Sequence, residues 1–319
     1  MGKYLNFEMT HTYNWKIKGH DRVIAELEKE LVAGNISHAY LFAGPDNVGK
    51  YTVAKTLARI LQCENNFCHT CSTCAEIEKG YHSDTLELLD DGESIKIDTV
   101  RDLTLKLNMS KNSRRKILLI QNIERMTLES ANAMLKTRED PPEGVVFLLT
   151  TGRIKDVLPT ILSRVRTYNF QRLTEQSVVE LLQTAYPLAD TDMISQVASF
   201  AAGKPGKAIS LMQNPGLLDE ARKMYNDIRI FVKKPDRANE FAYIADIVKT
   251  GKDNEGSDVI RDFLDTFTAV LRQEMLEKAK NGESVQKFTA LIEEAQQARD
   301  LLKRNVNNRL LLENLVLHL

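Results

Sequence analysis

The chain has 319 residues, more than one average domain, so two or three domains are expected. Its 43 basic and 44 acidic residues nearly cancel, which argues against broad electrostatic attachment to DNA as its main work while leaving room for a local basic stripe. A hydrophobic share of 43% and a charged share of 27% are ordinary for a globular protein. No run approaches the ~18 apolar residues of a membrane span. The first residues, MGKYLNFEMTHTYNW, lack the apolar core of a signal peptide, and Asn6 stands where a myristoylation site wants Ser or Thr. A cytoplasmic protein without membrane contact is expected.

In chain order, DRVIAELEKELV (21–32) has helical periodicity and a Gly34 stop. AYLFAG (39–44) is a short apolar strand running into a glycine-bearing loop, and KYTVAKTLARIL (50–61) is an amphipathic helix with Val53, Leu57, Ile60 and Leu61 on one face. A cysteine cluster follows. DTLELLD is a strand candidate, and SIKIDTVRDLTLKLNM turns into a helix with Asp98 as its N-cap. Then come the strand KILLI, the helix TLESANAMLKTRED closed by Pro141 and Pro142, and the buried strand GVVFLLTT. This rhythm means a parallel α/β sheet with crossover helices. From Thr174 the pattern is helical, broken at AGKPGKA, NPG, KKPD, GKDNEGS and NGES. The expected division is an α/β domain over 1–170, a small helical domain over 171–219 and a second helical domain over 220–319.

GPDNVGKY (44–51) matches G-x-x-x-x-G-K, with Tyr51 where Ser or Thr belongs. Gly44 and Gly49 let backbone N–H groups approach phosphate, the helix end adds positive dipole, and Lys50 adds a point charge. Tyr51 is too long to put a hydroxyl on Mg²⁺, and Thr52 is one place out of register. The strand KILLI, taken as the neighbour of the loop strand, ends in Gln121 and Asn122, which carry no charge to balance a divalent cation and cannot act as a general base. Glu124 is expected beyond the strand's end and out of place, and Asp90 or Asp91 is the remaining source of a metal ligand. A weak or vestigial nucleotide site for ATP or ADP, held by Gly44, Gly49, Lys50 and Thr52, is the expectation.

All four cysteines lie in CENNFCHTCSTC, spaced C-x4-C-x2-C-x2-C. Cys63, Cys68, Cys71 and Cys74 would form a closed tetrahedral thiolate site, the mark of structural Zn²⁺ at the domain's edge. An iron–sulfur cluster is the rival, although no Cys-Pro follows. Unligated thiols are the plain alternative, and His69 could replace a thiolate.

Together, ISHAYLFAGPDNVGKYTVAKTLARILQC, SIKIDTVR, ERMTLESANAMLKTREDPPEGVVFLLTT and LPTILSRV resemble the blocks of the bacterial DNA polymerase III clamp-loader family of AAA+ proteins, in order and spacing. The resemblance is strong over about 14–170 and looser through AAGKPGKAI and RNVNNRLLLENLVL. It implies a P-loop AAA+ domain with an inserted zinc loop (63–74), a helical lid and a C-terminal helical collar for oligomerisation. Loss of the acidic pair implies the delta-prime type of subunit, a non-hydrolysing stator in DNA replication that belongs to the polymerase holoenzyme without intrinsic ATPase activity. By the same resemblance, Ser163 and Arg164 stand in the family's Ser-Arg-Cys motif, with Val165 for cysteine. Arg164 would then be an arginine finger acting in trans on a neighbour's ATP. Thr151 falls at the sensor position and Lys207 near the second sensor. The implied partners are a gamma/tau-like ATPase, a delta subunit, the sliding clamp and primed DNA. Arg138, Asp140 and the short first cysteine spacing depart from the family pattern.

Two other readings stand beside this one. The first is a gamma/tau-like ATP-binding loader subunit with residual ATPase activity. The second is a zinc-containing nucleic-acid module acting alone, which the balanced charge and the lack of interleaved aromatic and basic residues oppose.

Overall fold

A computed structural model describes residues 13–65, 67–110, 113–139, 144–250, 256–302 and 306–319, without the side chains at 135–139, 250 and 256–258. Asn6, Asp140, Pro141, Pro142 and the side chain of Arg138 therefore lie outside the described residues. The chain divides into two compact units, Met1–Leu173 and Thr174–Leu319.

The first unit runs α1 (Asp21–Val32), β1 (Ala39–Ala43), α2 (Lys50–Gln62), α3 (Ser72–Lys79), β2 (Thr85–Leu88), α4 (Ile97–Asn108), β3 (Lys116–Ile120), α5 (Leu128–Glu139), β4 (Val145–Thr151), α6 (Pro159–Leu162) and β5 (Arg166–Asn169). The strands form one parallel sheet in the order β2-β3-β4-β1-β5. Because β1, β3 and β4 are buried along their whole length, they read as continuous apolar runs, yet alternation still divides their side chains. Tyr40, Phe42, Ile117, Leu119, Val146 and Leu148 pack with α1 and α2. Leu41, Leu118, Ile120, Phe147 and Leu149 pack on the opposite face with Val100 and Leu107 of α4 and Ala131 and Met134 of α5. Sequence periodicity located α1 and α2 correctly.

Three expectations change. The strand beside the loop strand β1 is not KILLI, because β4 lies between β1 and β3. Asp98 sits in the first turn of α4, whose N-cap is Lys96. Two short elements, α3 and the half-exposed strand β5, carry too little periodicity to stand out in the sequence.

The second unit is helical throughout its described residues: α7 (Glu175–Ala185), α8 (Thr191–Ala201), α9 (Pro205–Gln213), α10 (Pro215–Lys233), α11 (Arg237–Thr250), α12 (Gly256–Lys280), α13 (Gln286–Leu301) and α14 (Asn308–Leu317). The expected boundary at 219/220 falls inside α10, a continuous helix capped by the Asn214 side chain. Buried Asp265 of α12 also pairs with Lys204 at 2.5 Å and with Arg299 of α13, tying helices from both sides of that boundary. Among the described residues no helix is long and apolar enough to cross a membrane.

Candidate functional site

The phosphate loop leaves the C-terminal end of β1, where the sheet's connections diverge: β1 leads to the far edge strand β2, while β4 leads across β1 to β5. Crevices of this kind are where open α/β sheets bind ligands. Gly44 is pinned on both sides. Its N–H donates to Thr151 O at 3.1 Å, and the preceding carbonyl, Ala43 O, accepts from Phe170 N at 2.7 Å. A Cβ on Gly44, at φ 154°, would lie 2.4 Å from Phe170 O, so no side chain fits. Gly49 takes φ 99° as the N-cap of α2. His20 supports the loop from below, its Nε2 2.7 Å from Val48 O and its ring 4.7 Å from that of Phe170. Burial lowers the His20 pKa, which favours the neutral ring in this place. No sequence motif marks His20, because its role depends on α1 packing beneath the loop.

Lys50 is buried, and its Nζ donates to Gly44 O at 2.8 Å and Pro45 O at 2.7 Å, with Asp46 Oδ1 at 3.8 Å. An ammonium, loop amides and a helix N-terminus converge here, so the residues suit a phosphate group. The Mg²⁺ position of the motif fits less well. The Tyr51 hydroxyl is hydrogen-bonded to Glu87 Oε2 on β2, an oxygen that Lys55 also holds at 3.2 Å. Burial, then the bond to Glu87, pushes the Tyr51 hydroxyl far above its ordinary pKa. Thr52 is exposed on the next helical position.

The missing acids have a structural counterpart. Gln121 Oε1 accepts from Asp90 N at 3.1 Å, and Asn122 Nδ2 donates to Asp90 Oδ2 at 2.6 Å. Asp90 Oδ1 takes Arg125 Nε at 2.9 Å and Gly92 N at 3.0 Å. Both oxygens of Asp90 are thus engaged in hydrogen bonds, and Asp91 Oδ1 caps Glu93 N. Glu124 departs from expectation. Asn122 turns at φ 52° into a short 3₁₀ turn, Ile123–Arg125, which sends the Glu124 carboxylate back over β4. There it accepts from Gly152 N at 2.9 Å, beside the loop residue Asp46.

Thr151 ends β4 opposite Ala43, buried, its Oγ1 accepting from Arg153 N at 3.0 Å. Ser163 and Arg164 are exposed just after α6; Ser163 Oγ and Arg164 Nη1 both donate to Thr160 O, at 3.2 and 3.1 Å. Lys207 belongs to the second unit, where it pairs with Asp262 at 2.9 Å.

The four cysteines converge at the C-terminal end of α2. Cys63 and Cys74 are buried, and all four sulfurs lie within 4.8 Å of one another. Cys63 Sγ is 3.8 Å from the sulfurs of both Cys68 and Cys71. A tetrahedral ion with Zn–S bonds of about 2.3 Å sets neighbouring sulfurs about 3.8 Å apart, so the thiols fit zinc. Backbone N–H groups of Cys68, Cys71 and Cys74 point at sulfur acceptors at 3.4–3.5 Å. Hydrogen bonds from the Thr70 side chain, then from the backbone, draw the Cys68 thiol down to about 5, whereas burial pushes that of Cys74 up. His69 turns instead to Asn14 O, at 3.2 Å.

A five-stranded parallel sheet with a phosphate loop at its divergence point, followed by helices, defines a P-loop protein of the AAA+ class. Residues 19–174 match the family described as DNA polymerase III, delta subunit. The chain is 33% identical over 209 residues to DNA polymerase III subunit gamma of Buchnera aphidicola, covering 62% of this chain and 57% of that protein. It is 29% identical over 271 residues to subunit tau of Bacillus subtilis (81% and 46%) and 36% identical over 172 residues to subunit tau of Escherichia coli (52% and 27%). A solved Thermotoga maritima structure described as a DNA polymerase III gamma subunit-related protein aligns over 92% of this chain and 97% of that one, at 23% identity and a TM-score of 0.45. Over these residues the chain is similar to the bacterial clamp-loader family. It spans about half the length, or less, of the curated relatives it matches.

Replacing Tyr51 by Phe leaves the largely buried Glu87 carboxylate short of a donor. Chemical denaturation is expected to show a loss of about 1–3 kcal/mol.

Proposed function

We propose that the protein is a clamp-loader subunit that does not hydrolyse ATP itself and acts as a stator of the delta-prime type. The observation that carries this reading is the conversion of the strand-end acids to Gln121 and Asn122, whose side chains are spent on holding Asp90. With the Tyr51 hydroxyl also committed, neither the metal nor the attacking water has its usual partner. The names of the relatives favour a second reading, a gamma/tau-like ATP-binding subunit with residual activity, and they support it better than they support the delta-prime identity. Turnover separates the two. Steady-state ATP hydrolysis by the isolated protein is expected to equal background, and activity that Lys50→Ala abolishes would establish the second reading.

In either reading the partners are other loader subunits, with the sliding clamp and primed DNA in the assembled complex. The lid and collar division of the second unit, with collar helices mediating assembly, belongs to the same proposal. Nucleotide in the loop would be held by Gly44, Gly49 and Lys50, with Thr52 at its margin.

The cysteine loop is proposed to hold one structural Zn²⁺. Metal analysis of protein purified under reducing conditions is expected to give one zinc per chain, and Cys68→Ser to lower that content without unfolding the sheet. Iron in place of zinc, or no metal, contradicts the assignment.

Arg164 is proposed as a finger reaching a neighbour's ATP, a role its exposure supports. Arg164→Ala should leave folding within about half a kcal/mol. In the assembled loader, hydrolysis at the one facing site should fall about a thousandfold or more, and Arg164→Lys should restore little because it lacks the planar fork. Normal ATPase and clamp loading by the Arg164→Ala loader would leave it an ordinary surface arginine.

A further inference from the structure

We infer that Glu124 and Asp46 form a divalent-cation site at the mouth of the phosphate loop, built from positions that the loop motif does not assign to metal binding. The Glu124 side chain is 5% exposed, and its Oε2 is buried without a hydrogen-bond partner. A buried, unpartnered carboxylate oxygen is costly unless something electropositive reaches it. The Asp46 carboxylate approaches the same glycine, Gly152. A Cβ placed on Gly152 would meet Asp46 Oδ1 at 2.7 Å and Glu124 Oε1 at 3.3 Å, so both carboxylates close on the space that glycine leaves open.

Two carboxylates that share a site repel unless a cation or a proton lies with them. The neighbouring basic groups supply charge without filling the oxygens' coordination. Arg153 Nε is 3.8 Å from Glu124 Oε1 and closer, at 3.2 Å, to Asp156. Lys50 Nζ is 3.8 Å from Asp46 Oδ1 while donating to the carbonyls of Gly44 and Pro45. Distances of 3.8 Å are beyond hydrogen bonding. What remains is an oxygen site with two carboxylates on two loops, suited to a hard ion such as Mg²⁺ or Mn²⁺ that keeps several waters. The geometry of Asn122 is what delivers Glu124 to this place. The site goes beyond the loader reading and does not depend on whether the protein turns over ATP.

Mn²⁺ alone is the probe, titrated into the zinc-saturated 319-residue protein, with free Mn²⁺ read by electron paramagnetic resonance. The wild type is expected to take up one ion that Glu124→Gln and Asp46→Asn each weaken by about tenfold or more. Asp90→Asn, which alters a carboxylate already held by Arg125 and Asn122, should leave uptake unchanged. Asp46 is half exposed, so its variant tests the site without disturbing the core. No Mn²⁺ uptake by the wild type, or equal uptake by the Glu124→Gln and Asp46→Asn variants, overturns the inference. An inactive protein that binds Mn²⁺ in this pattern keeps both the site and the stator reading, whereas an active protein without the site removes both.

Discussion

At the end of β1 the backbone of Gly44 passes so close to Phe170 that only hydrogen fits at its α-carbon. The amide of Gly44 is bonded to β4, and the carbonyl just before it receives the amide that follows β5. The strand that carries the phosphate loop is therefore clamped at its last residue between two neighbours. The position of Lys50, the entry angle of α2 and the proximity of Thr151 all follow from that clamp. A side chain at Gly44 would push the loop away from β5 and with it the ammonium from its carbonyls.

Around this fixed loop, polar groups have been reassigned among themselves. Gln121 and Asn122 bind Asp90, Asp90 binds Arg125, and Tyr51 binds Glu87. Gln121, Asn122 and Tyr51 thus each make a hydrogen bond to a neighbouring polar group of the sheet's C-terminal edge. Among the described residues, Glu124 Oε2 and Glu87 Oε1 are carboxylate oxygens left buried without a hydrogen-bond partner. The neighbour of Glu124 along the edge, Asp46, belongs to the phosphate loop itself.

The cysteine loop is joined to the same core. Cys63 caps α2, Cys71 caps α3, and Phe67 and Cys74 are buried against residues that also line the sheet. Arg59 of α2 lies over the Phe67 ring at 5.6 Å and pairs with Glu78 of α3. An ion in this loop would hold α3 to the end of α2, about three helical turns from Lys50 along the same helix.

Much of this was legible in the residues alone. Helical periodicity sets α1 and α2, because a buried stripe at 3.6-residue spacing is a local property of the chain. The phosphate loop and the cysteine spacing were readable because glycine and thiol chemistry is tied to residue type. The neighbours of β3 and the fate of Glu124 were not. Strand order is chosen by how crossover helices pack on the two faces of the sheet, so β4 separates β1 from β3 although nothing in KILLI indicates it. Tyr51 and Glu87 are 36 residues apart, and Gln62 reaches Arg115 across 53. By itself the sequence determined the order of the longer elements, the glycine-bearing loop before α2, the uncharged Gln121 and Asn122, and the four-thiol set. Only the tertiary structure decided which side chains meet at the sheet's C-terminal edge, because hydrogen bonds over such separations form only once the strands have been ordered.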